Sequence, residues 1–430
     1  MAERDTMAVD APFLVALNLT RRCNLNCAHC YLDAGTREAG AGDELTTNEV
    51  CALLDDIAEL SDETMVVLTG GEPLLRPDLE AVAQHGAGLG LMMVLGTNGT
   101  ALDGKRVGKL LRAGVSGVGI SLDSLDPAYH DRFRGRSGAW KKTMAAIDAC
   151  RRGGLTFQIH FSVTDDNAAE LDDMVAFARS AGAMVLNVFF LVCTGRGEEV
   201  TNISRETYDD VMRRLTRVAY EEESLMVRAK CAPHFKRMAL ELDPSWPITL
   251  AHGYEAGGCL AGRRYCRVTP NGEVTPCPYI ESSAGSVREH DFATIWRQSP
   301  LFARLRAPVL EGRCGSCEYA KICGGCRARP LARDGNIMGE DFLCAYQPTG
   351  GAVIQPLPYH GRGMCWSAEA EARLKHVPPF VRRMVRRKVE DYVHGEGRGR
   401  VRLEDMQEVA RRRFGDAGPP VFAGMRGRDD

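Results

Sequence analysis

Three cysteines near the N-terminus have the spacing of a metal-binding loop. Cys23, Cys27 and Cys30 form a C-x3-C-x2-C triplet within the segment Arg-Arg-Cys-Asn-Leu-Asn-Cys-Ala-His-Cys-Tyr. Soft thiolates suit iron–sulfur centres, and three of them on a tight loop can hold three irons of a cubane cluster. The fourth iron would then be open to a ligand, as metal catalysis requires. A structural zinc knuckle is the alternative interpretation of the same triplet.

A second group of cysteines lies in the second half of the chain. Cys314-x2-Cys317-x5-Cys323-x2-Cys326 is a compact run of thiols, and a Pro-Asn-Gly-Glu turn signal upstream of it is flanked by further cysteines. The full set consists of Cys259, Cys266, Cys277, Cys314, Cys317, Cys323, Cys326 and Cys344. Zinc ribbons and iron–sulfur clusters are both compatible with these spacings.

Polar and glycine-rich segments follow several apolar runs. They are Gly70-Gly71-Glu72-Pro73, Thr97-Asn98-Gly99, Ser121-Leu122-Asp123, and Thr164 with Asn167. Paired glycines let a backbone approach a ligand closely, and a carboxylate such as that of Glu72 can accept a hydrogen bond from an ammonium group. The hydroxyl of Ser121 and the carboxylate of Asp123 suit a ribose or a charged end of a ligand. Each segment taken alone also fits an ordinary turn.

Alternating sequence periods predict the scaffold that brings these segments together. Between residues 13 and 235, short apolar runs rich in β-branched residues alternate with segments of helical period, and Thr46 with Glu49 forms a capping box before the first helix. Nearly all-apolar strands indicate a parallel sheet covered by helices. We therefore predict an α/β fold, a partial (β/α)6 TIM-like barrel, in which the polar segments meet at the C-terminal ends of the strands.

The composition of the whole chain narrows the class of protein. The 430 residues are 44% hydrophobic and 26% charged, with a formal net charge of −3. This balance gives no field that would favour nucleic acid. No apolar run has the length of a membrane span, and the first residues do not have the pattern of a signal peptide. The 16 cysteines favour metal clusters over disulfides, and we expect a cytoplasmic protein.

The N-terminal triplet and the segments behind it resemble the radical S-adenosylmethionine (SAM) superfamily over residues 13 to 230. The resemblance implies that the triplet holds a [4Fe–4S] cluster whose open iron binds SAM, and that reductive cleavage of SAM yields a 5′-deoxyadenosyl radical. An external electron donor such as ferredoxin or flavodoxin is implied as well. The positions that correspond to SAM-binding residues of the family are Gly70, Gly71, Glu72, Asn98, Ser121 and Asp123.

The later cysteines resemble the SPASM domain, an auxiliary iron–sulfur extension of radical SAM enzymes. The ligand sets implied by this resemblance are Cys259, Cys266, Cys277 and Cys326 for one [4Fe–4S] cluster, and Cys314, Cys317, Cys323 and Cys344 for another. Two residues separate Cys323 from Cys326 here, whereas three separate the corresponding cysteines in the usual SPASM pattern. A single auxiliary cluster therefore stays an alternative. The sequence leaves open whether Cys193 and Cys231 are ligands, reactive thiols or buried side chains.

Shifts in composition divide the chain into predicted domains. They are an N-terminal tail (1–12), the barrel (13–235), an auxiliary iron–sulfur domain (236–345), a Pro- and Gly-rich linker (346–364), a small helical domain (365–415) and a disordered tail (416–430). In the helical domain, the amphipathic run 379–392 resembles the small C-terminal domain of the protochlorophyllide reductase B subunit. That domain belongs to a tetrapyrrole enzyme.

Four segments resemble radical SAM enzymes that trim haem precursors, of the haem b synthase and haem d1 pathway type. They begin at Leu191, Lys230, Gly257 and Cys323. The resemblance implies an oxidoreductase or lyase that modifies a tetrapyrrole by propionate decarboxylation or acetate removal. Since arginine grips carboxylates bidentately, the predicted substrate contacts are Arg196, His234, Arg327 and Arg329. Ion pairs within the protein and a structural histidine are the alternatives.

Two other functions fit parts of the sequence. Many SPASM-type enzymes modify ribosomal peptides or mature a partner protein, often with an N-terminal peptide-binding domain, and only a short tail precedes the first predicted strand here. A non-catalytic iron–sulfur carrier or a DNA-binding module would require the glycine-rich and Ser-Leu-Asp matches to be accidental. We therefore expect an enzyme that acts on a small-molecule tetrapyrrole, or on a peptide, with no nucleic-acid partner.

Overall fold

The structure, a computed structural model, describes residues 11–35, 41–192, 194–198, 203–246, 258–355, 364–375, 377 and 379–414. The strands of its main sheet are β1 Leu14–Asn18, β2 Met65–Thr69, β3 Met92–Thr97, β4 Gly117–Ser121, β5 Phe157–Val163, β6 Val185–Phe190, β7 Met226–Lys230, β8 Tyr265–Val268, β9 Glu273–Thr275 and β10 Gly285–Ser286. Their order in the sheet is β10-β9-β8-β1-β2-β3-β4-β5-β6-β7.

The sheet combines a parallel body with an antiparallel extension. Strands β1 to β7 pair parallel in chain order, and β8 adds to the free side of β1, also parallel. Strands β9 and β10 continue from β8 as antiparallel partners. Part of the predicted auxiliary domain therefore extends the barrel sheet, and it does so on the side where β1 leads into the cysteine triplet.

Helices follow most of the parallel strands and cover one face of the sheet. Those of the first half are α1 Thr47–Leu60, α2 Leu79–Gly88, α3 Gly104–Arg112, α4 Pro127–Arg134, α5 Ala139–Gly153, α6 Leu171–Ser180, α7 Arg205–Glu221 and α8 His234–Leu242. Short 3-10 turns lie at Ala41–Asp43, Pro73–Leu75, Ala168–Glu170 and Gly195–Glu198. The predicted capping box is confirmed, because the Thr46 side chain accepts from Glu49 N and the Glu49 side chain accepts from Thr46 N.

The two faces of the sheet differ in chemistry because side chains alternate along each strand. The face under the helices is the main core, and it includes Ile159, Phe161, Val188 and Val227. The opposite face carries polar residues on the strands of the second half of the barrel, and we call it the inner face. It is the face on which a barrel of this kind places its site residues.

The second cysteine region has a small core of its own. Its helices are α9 Phe292–Gln298, α10 Pro300–Arg306, α11 Gly312–Ser316 and α12 Ala328–Asp334. Ala261, Ile280, Leu305, Cys326 and Met338 are buried together there.

The C-terminal module is built from three helices and a two-stranded parallel sheet, as far as the chain is described. Its elements are β11 Cys365–Trp366, α13 Ala368–Lys375, α14 Pro379–Gly395, β12 Arg400–Val401 and α15 Leu403–Phe414. Leu374, Val389 and Val401 form its core. Glu390 is buried beside this core and accepts a hydrogen bond from Trp366 Nε1 at 3.0 Å.

The predicted fold class is confirmed, and the seven predicted strands of the barrel are present as β1 to β7. Helix α4 and the strands β11 and β12 were missed, since they are short and have weak hydrophobic periods. The predicted domain boundaries stay predictions, and the predicted disordered tail and Cys193 lie outside the described residues. Among the described helices, we find none with the length and apolar character to cross a membrane.

Candidate active site and auxiliary metal centres

The cysteine triplet lies on the loop that follows the C-terminal end of β1. The structure brings its three side chains together, since Cys23, Cys27 and Cys30 pack in one cluster with Leu25 and Ala139. The predicted grouping of the three thiols is therefore present in the fold.

Helix α4 supports this loop from the side. Ala28 N donates to the Phe133 carbonyl at 3.0 Å. Gly135 ends the helix with φ of 66°, and a Cβ at this position would lie 2.2 Å from the Asn26 carbonyl oxygen, so only glycine allows the approach. The His29 ring stacks on Phe133 with a centroid distance of 4.2 Å. Burial lowers the pKa of His29 to about 3, so this ring is neutral.

Each sulfur of the triplet has an N–H donor beside it. The three contacts are Leu25 N to Cys23 Sγ at 3.4 Å, Ala34 N to Cys30 Sγ at 3.4 Å, and Arg134 Nη1 to Cys27 Sγ at 3.8 Å. Burial raises the pKa of Cys23 to about 11 and that of Cys27 above its usual value. Both side chains are therefore neutral thiols without a metal, and they ionise when a metal binds them. Because ligated sulfurs accept such hydrogen bonds, the residues present fit an iron–sulfur cluster.

The predicted SAM-binding turn packs tightly against the cysteine loop. A Cβ at Gly70 would lie 2.5 Å from the Thr20 carbonyl oxygen, and one at Gly71 would lie 2.3 Å from the Arg22 carbonyl oxygen. The two glycines are therefore required for this backbone-to-backbone approach. Binding of SAM by the turn stays a prediction.

The carboxylate of Glu72 has a different setting from the one that the sequence predicts. It is fully buried and accepts from Thr97 Oγ1 at 2.7 Å, from Asn98 N at 2.9 Å and from Leu74 N at 3.1 Å. Burial raises its pKa. These contacts show that the carboxylate fixes the turn, and its predicted contact with an ammonium group stays a prediction.

The other predicted SAM contacts also lie around the triplet. Asn98 Nδ2 donates to Asn24 Oδ1 on the loop at 2.9 Å. Asp123 follows β4 and is fully buried, with Oδ2 at 2.5 Å from Arg134 Nε. Burial alone would raise the pKa of Asp123, but the Arg134 guanidinium outweighs it and holds the pKa below its usual value. Ser121 is half-buried at the end of β4, on the inner face.

One predicted auxiliary ligand set is gathered around a single cavity. The lining of this cavity includes Cys314, Cys317, Cys323 and Cys344. Burial raises the pKa of each of these four thiols. The four sulfur donors in one concave site fit a [4Fe–4S] cluster with four thiolate ligands.

The other predicted set is brought together only in part. Cys259 and Cys277 pack against the core that contains Cys326. Cys266 is fully buried in the main core, under α9 and α10, where the nearby charge is that of Arg306. Its strand neighbour Arg267 projects to the inner face and donates to the Pro278 carbonyl, next to Cys277. Since successive strand residues point to opposite faces, Cys266 lies on the face opposite to Arg267, and its role as a ligand stays a prediction.

The four predicted substrate contacts are engaged within the protein. Arg196 binds the Cys27 and Ala34 carbonyl oxygens and Asp33, and so holds the cysteine loop. Arg327 is buried and donates to the carbonyl oxygens of Gly324, Ile337 and Gly339. Arg329 is buried in an ion pair with Asp341, and His234 bonds to Tyr208 Oη at 2.7 Å. The structure thus favours the internal role for each of the four.

A row of polar side chains, which the sequence did not predict, crosses the inner face. Ser121, His160, Asn187 and Arg228 are in register on β4, β5, β6 and β7. Lys230 lies one row further, towards the C-terminal ends of the strands. The alternation of Arg228 and Lys230 with apolar residues in β7 was the available signal, because an all-apolar strand would be expected there.

The inner face adjoins the cysteine loop. Tyr31, the residue after Cys30, has its hydroxyl 3.4 Å from Asn18 Nδ2 and its ring 6.0 Å from the Arg267 guanidinium. The Tyr31 ring also contacts Tyr279 edge-on, at 5.6 Å between centroids. Arg267 is therefore held beside the loop that carries the triplet.

Comparison with known protein families agrees with this arrangement. Residues 17–178 match the radical SAM superfamily, residues 259–327 match the iron–sulfur cluster-binding SPASM domain, and residues 366–409 match the family of the proto-chlorophyllide reductase 57 kD subunit. The chain belongs to the radical SAM superfamily, in its branch with a SPASM domain. It is an enzyme whose cofactors are a [4Fe–4S] cluster with SAM and auxiliary iron–sulfur clusters.

Individual relatives place the chain more narrowly. It is 40% identical to the AdoMet-dependent heme synthase of Methanosarcina barkeri, over 79% of this chain and 98% of that protein. It is 31% identical to the pre-heme d1 synthase of Dinoroseobacter shibae, over 77% of this chain and 85% of that protein. Among solved structures, SuiB of Streptococcus suis has the same fold, with a TM-score of 0.63 at 18% identity over 78% of each chain.

Proposed function

We propose that this radical SAM enzyme modifies the side chains of a haem-precursor tetrapyrrole, by propionate decarboxylation or acetate removal. The observation that carries the proposal is the cationic inner face, on which Arg228 and Lys230 of β7 continue the polar row of Ser121, His160 and Asn187. Relatives with 31% to 40% identity that make haem and pre-haem d1 support the same substrate class.

The charge of the inner face suits a flat molecule with several carboxylates. Arginine presents a planar fork that matches a carboxylate bidentately, and lysine adds a point charge. Arg228 is buried, with 9% of its surface exposed. Carboxylates held there are screened little by water, so each contact is stronger than on a surface.

His160 adds a neutral polar group to the same surface. Its ring lies over Gly119, where a Cβ would be 2.3 Å from His160 Cε1, and it contacts the Phe189 ring at 5.1 Å. Burial, followed by the charge of Lys230, lowers the pKa of His160 to about 3. The imidazole therefore stays neutral and can both donate and accept a hydrogen bond without repelling the cations beside it.

The chain's own residues position the reaction and exclude water. We propose that Cys23, Cys27 and Cys30 hold the cluster that binds SAM, which when bound supplies a deoxyadenosyl radical for hydrogen abstraction. Backbone hydrogen bonds from the turn Gly70 to Glu72 fix the start of the cysteine loop. Arg134 fixes the middle of the loop by its contact with Cys27 Sγ. The inner-face cations orient the substrate carboxylates towards this loop.

Binding of iron-coproporphyrin under anaerobic conditions tests the proposed substrate class. We expect saturable changes in its visible absorbance with the reconstituted protein, and only a small loss of affinity as salt is raised, because buried carboxylate contacts are screened much less than exposed ones. A porphyrin ester without free carboxylates is the matched control and should not bind at the same site. Absence of binding, together with intact SAM cleavage, would instead favour a peptide substrate.

A further inference from the structure

Cys231 has a backbone conformation that cysteine rarely adopts. It lies between β7 and α8, and its φ is +56°, in the left-handed region. A non-glycine residue there is strained by the contact of its Cβ with the backbone, and such strain persists only where the surroundings over-determine it. Glycine would adopt this conformation without strain, so the presence of a β-carbon and a thiol at this position needs an explanation.

One buried ion pair connects Cys231 to Cys326. Arg329 Nη2 donates to the Cys231 carbonyl oxygen at 2.5 Å, and its Nη1 donates to Asp341 Oδ2 at 2.7 Å. Asp341 Oδ2 also accepts from Cys326 N at 2.7 Å. Arg329 and Asp341 are both buried, with 2% and 0% of their surface exposed. The segment that follows β7 is therefore fixed against the segment that carries Cys326.

The thiol of Cys231 lies among the thiols of the incomplete auxiliary set. After burial, the groups that raise the pKa of Cys277 are Cys259, Cys326 and Cys231. Burial also raises the pKa of Cys231, with Cys326 and Cys259 among the neighbouring groups, and Cys259 is a neighbour of Cys326 as well. The four thiols are thus electrostatic neighbours of one another, and Cys259 and Cys277 also pack against the core that contains Cys326. Cys266 has no thiol among its charged neighbours in the described chain.

We propose that Cys231 is the fourth thiolate ligand of the auxiliary cluster held by Cys259, Cys277 and Cys326, and that Cys266 is a core residue. The two auxiliary sites then have four thiols each, and the second consists of Cys314, Cys317, Cys323 and Cys344 around the cavity that they line. The left-handed conformation directs the Cys231 thiol to the cluster, which accounts for cysteine at a position where glycine would be relaxed. The proposal does not depend on the identity of the substrate.

Iron spectroscopy of the full-length chain tests this assignment. Cys23, Cys27 and Cys30 are replaced by alanine to leave the auxiliary clusters alone, and Cys231→Gly or Cys266→Ala is added. We expect Cys231→Gly to lose iron or to convert one cluster to a three-iron form, seen by Mössbauer and EPR spectroscopy, because one of four thiolate ligands is gone. Cys266→Ala should match the parent in iron, sulfide and both spectra.

Glycine relieves the backbone strain at position 231, so that variant is expected to fold. If it is not recovered in folded form, Cys231→Ser decides the question, because an oxygen ligand shifts the EPR spectrum of the reduced cluster while a residue outside the cluster leaves it unchanged. Parent-like iron content and spectra for the glycine variant, or for the serine variant in its place, would overturn the assignment. Loss of a cluster in Cys266→Ala would overturn it as well.

Discussion

The guanidinium of Arg134 lies between the sulfur of Cys27 and the carboxylate of Asp123, 3.8 Å from Sγ through Nη1 and 2.5 Å from Oδ2 through Nε. Both charged side chains are buried, with 8% and 0% exposed. The acid after β4 is thereby connected to the cysteine loop. The charge of a ligated Cys27 and that of Asp123 are both balanced by one cation.

Removing this cation is expected to destabilise the protein. Arg134→Met leaves the charge of Asp123 buried without its cationic partner, which costs about 3–5 kcal/mol, and we expect a lower Tm and less iron bound at the triplet. The measurement is anaerobic thermal unfolding with iron analysis. The double variant Arg134→Met/Asp123→Asn should recover much of the loss, since the unpaired charge is gone. Equal Tm values for the single and the double variant would contradict this account of the pair.

The glycines of the turn at residues 70 and 71 give a second prediction. Gly71→Ala places a Cβ 2.3 Å from the Arg22 carbonyl oxygen, so the cysteine loop must shift. We expect loss of SAM cleavage, because small displacements of reacting groups cost about 100-fold in rate. Gly88→Ala in α2 is the matched control, since its Cβ would meet open space and alanine favours a helix. Wild-type cleavage of SAM by Gly71→Ala would show that the turn does not position the site.

The alternating periods of the sequence were enough to predict the seven barrel strands and the capped helix α1, because burial on a sheet or helix face leaves a regular pattern. The resemblance to the SPASM domain likewise implied the set of thiols that lines the cavity between Cys314 and Cys344. It also implied Cys266 as a ligand, but a cysteine pattern does not say to which face of a strand a side chain points. The sequence left the role of Cys231 open and gave no prediction for Arg228, because their partners are distant in the chain and only the fold brings them together.

The inner-face cations are expected to control substrate affinity. Lys230→Gln and Arg228→Gln should each raise the Kd of iron-coproporphyrin by about 10-fold or more, since a charge-assisted hydrogen bond contributes roughly 1.5–3 kcal/mol. The measurement is an anaerobic absorbance titration. Lys141→Gln removes the same charge from the exposed surface of α5 and should leave the Kd unchanged. Equal affinities for all three variants would place the substrate elsewhere.

Four buried histidines predict how stability depends on pH. Burial is the largest cause that lowers their pKa values: His29 and His160 to about 3, and His130 and His234 to about 4. In the unfolded chain these rings take up protons near pH 6.5. Below this pH the unfolded state binds more protons than the native state, so stability falls as the pH is lowered from about 6.5 towards 4.

We therefore expect a lower Tm at pH 5.5 than at pH 7.5, measured by circular dichroism at matched iron content. His234→Gln should reduce this difference, because one of the four protonation sites is removed. His290→Gln, at an exposed position, should keep the wild-type difference. A Tm that rises on going to pH 5.5 would contradict the burial of neutral imidazoles.

The most direct test of the central claim is an anaerobic turnover assay with SAM, dithionite and iron-coproporphyrin, in which 5′-deoxyadenosine and the mass of the porphyrin are followed. Cys27→Ala is the control without a complete triplet. We predict deoxyadenosine that increases with the porphyrin, and either the loss of about 46 Da per propionate, the mass of CO2 plus two hydrogens, or the loss of an acetate arm. Deoxyadenosine formation that is independent of the porphyrin, with no change in porphyrin mass, would contradict the tetrapyrrole function. The absence of deoxyadenosine from protein with its full iron content would contradict the radical SAM mechanism itself.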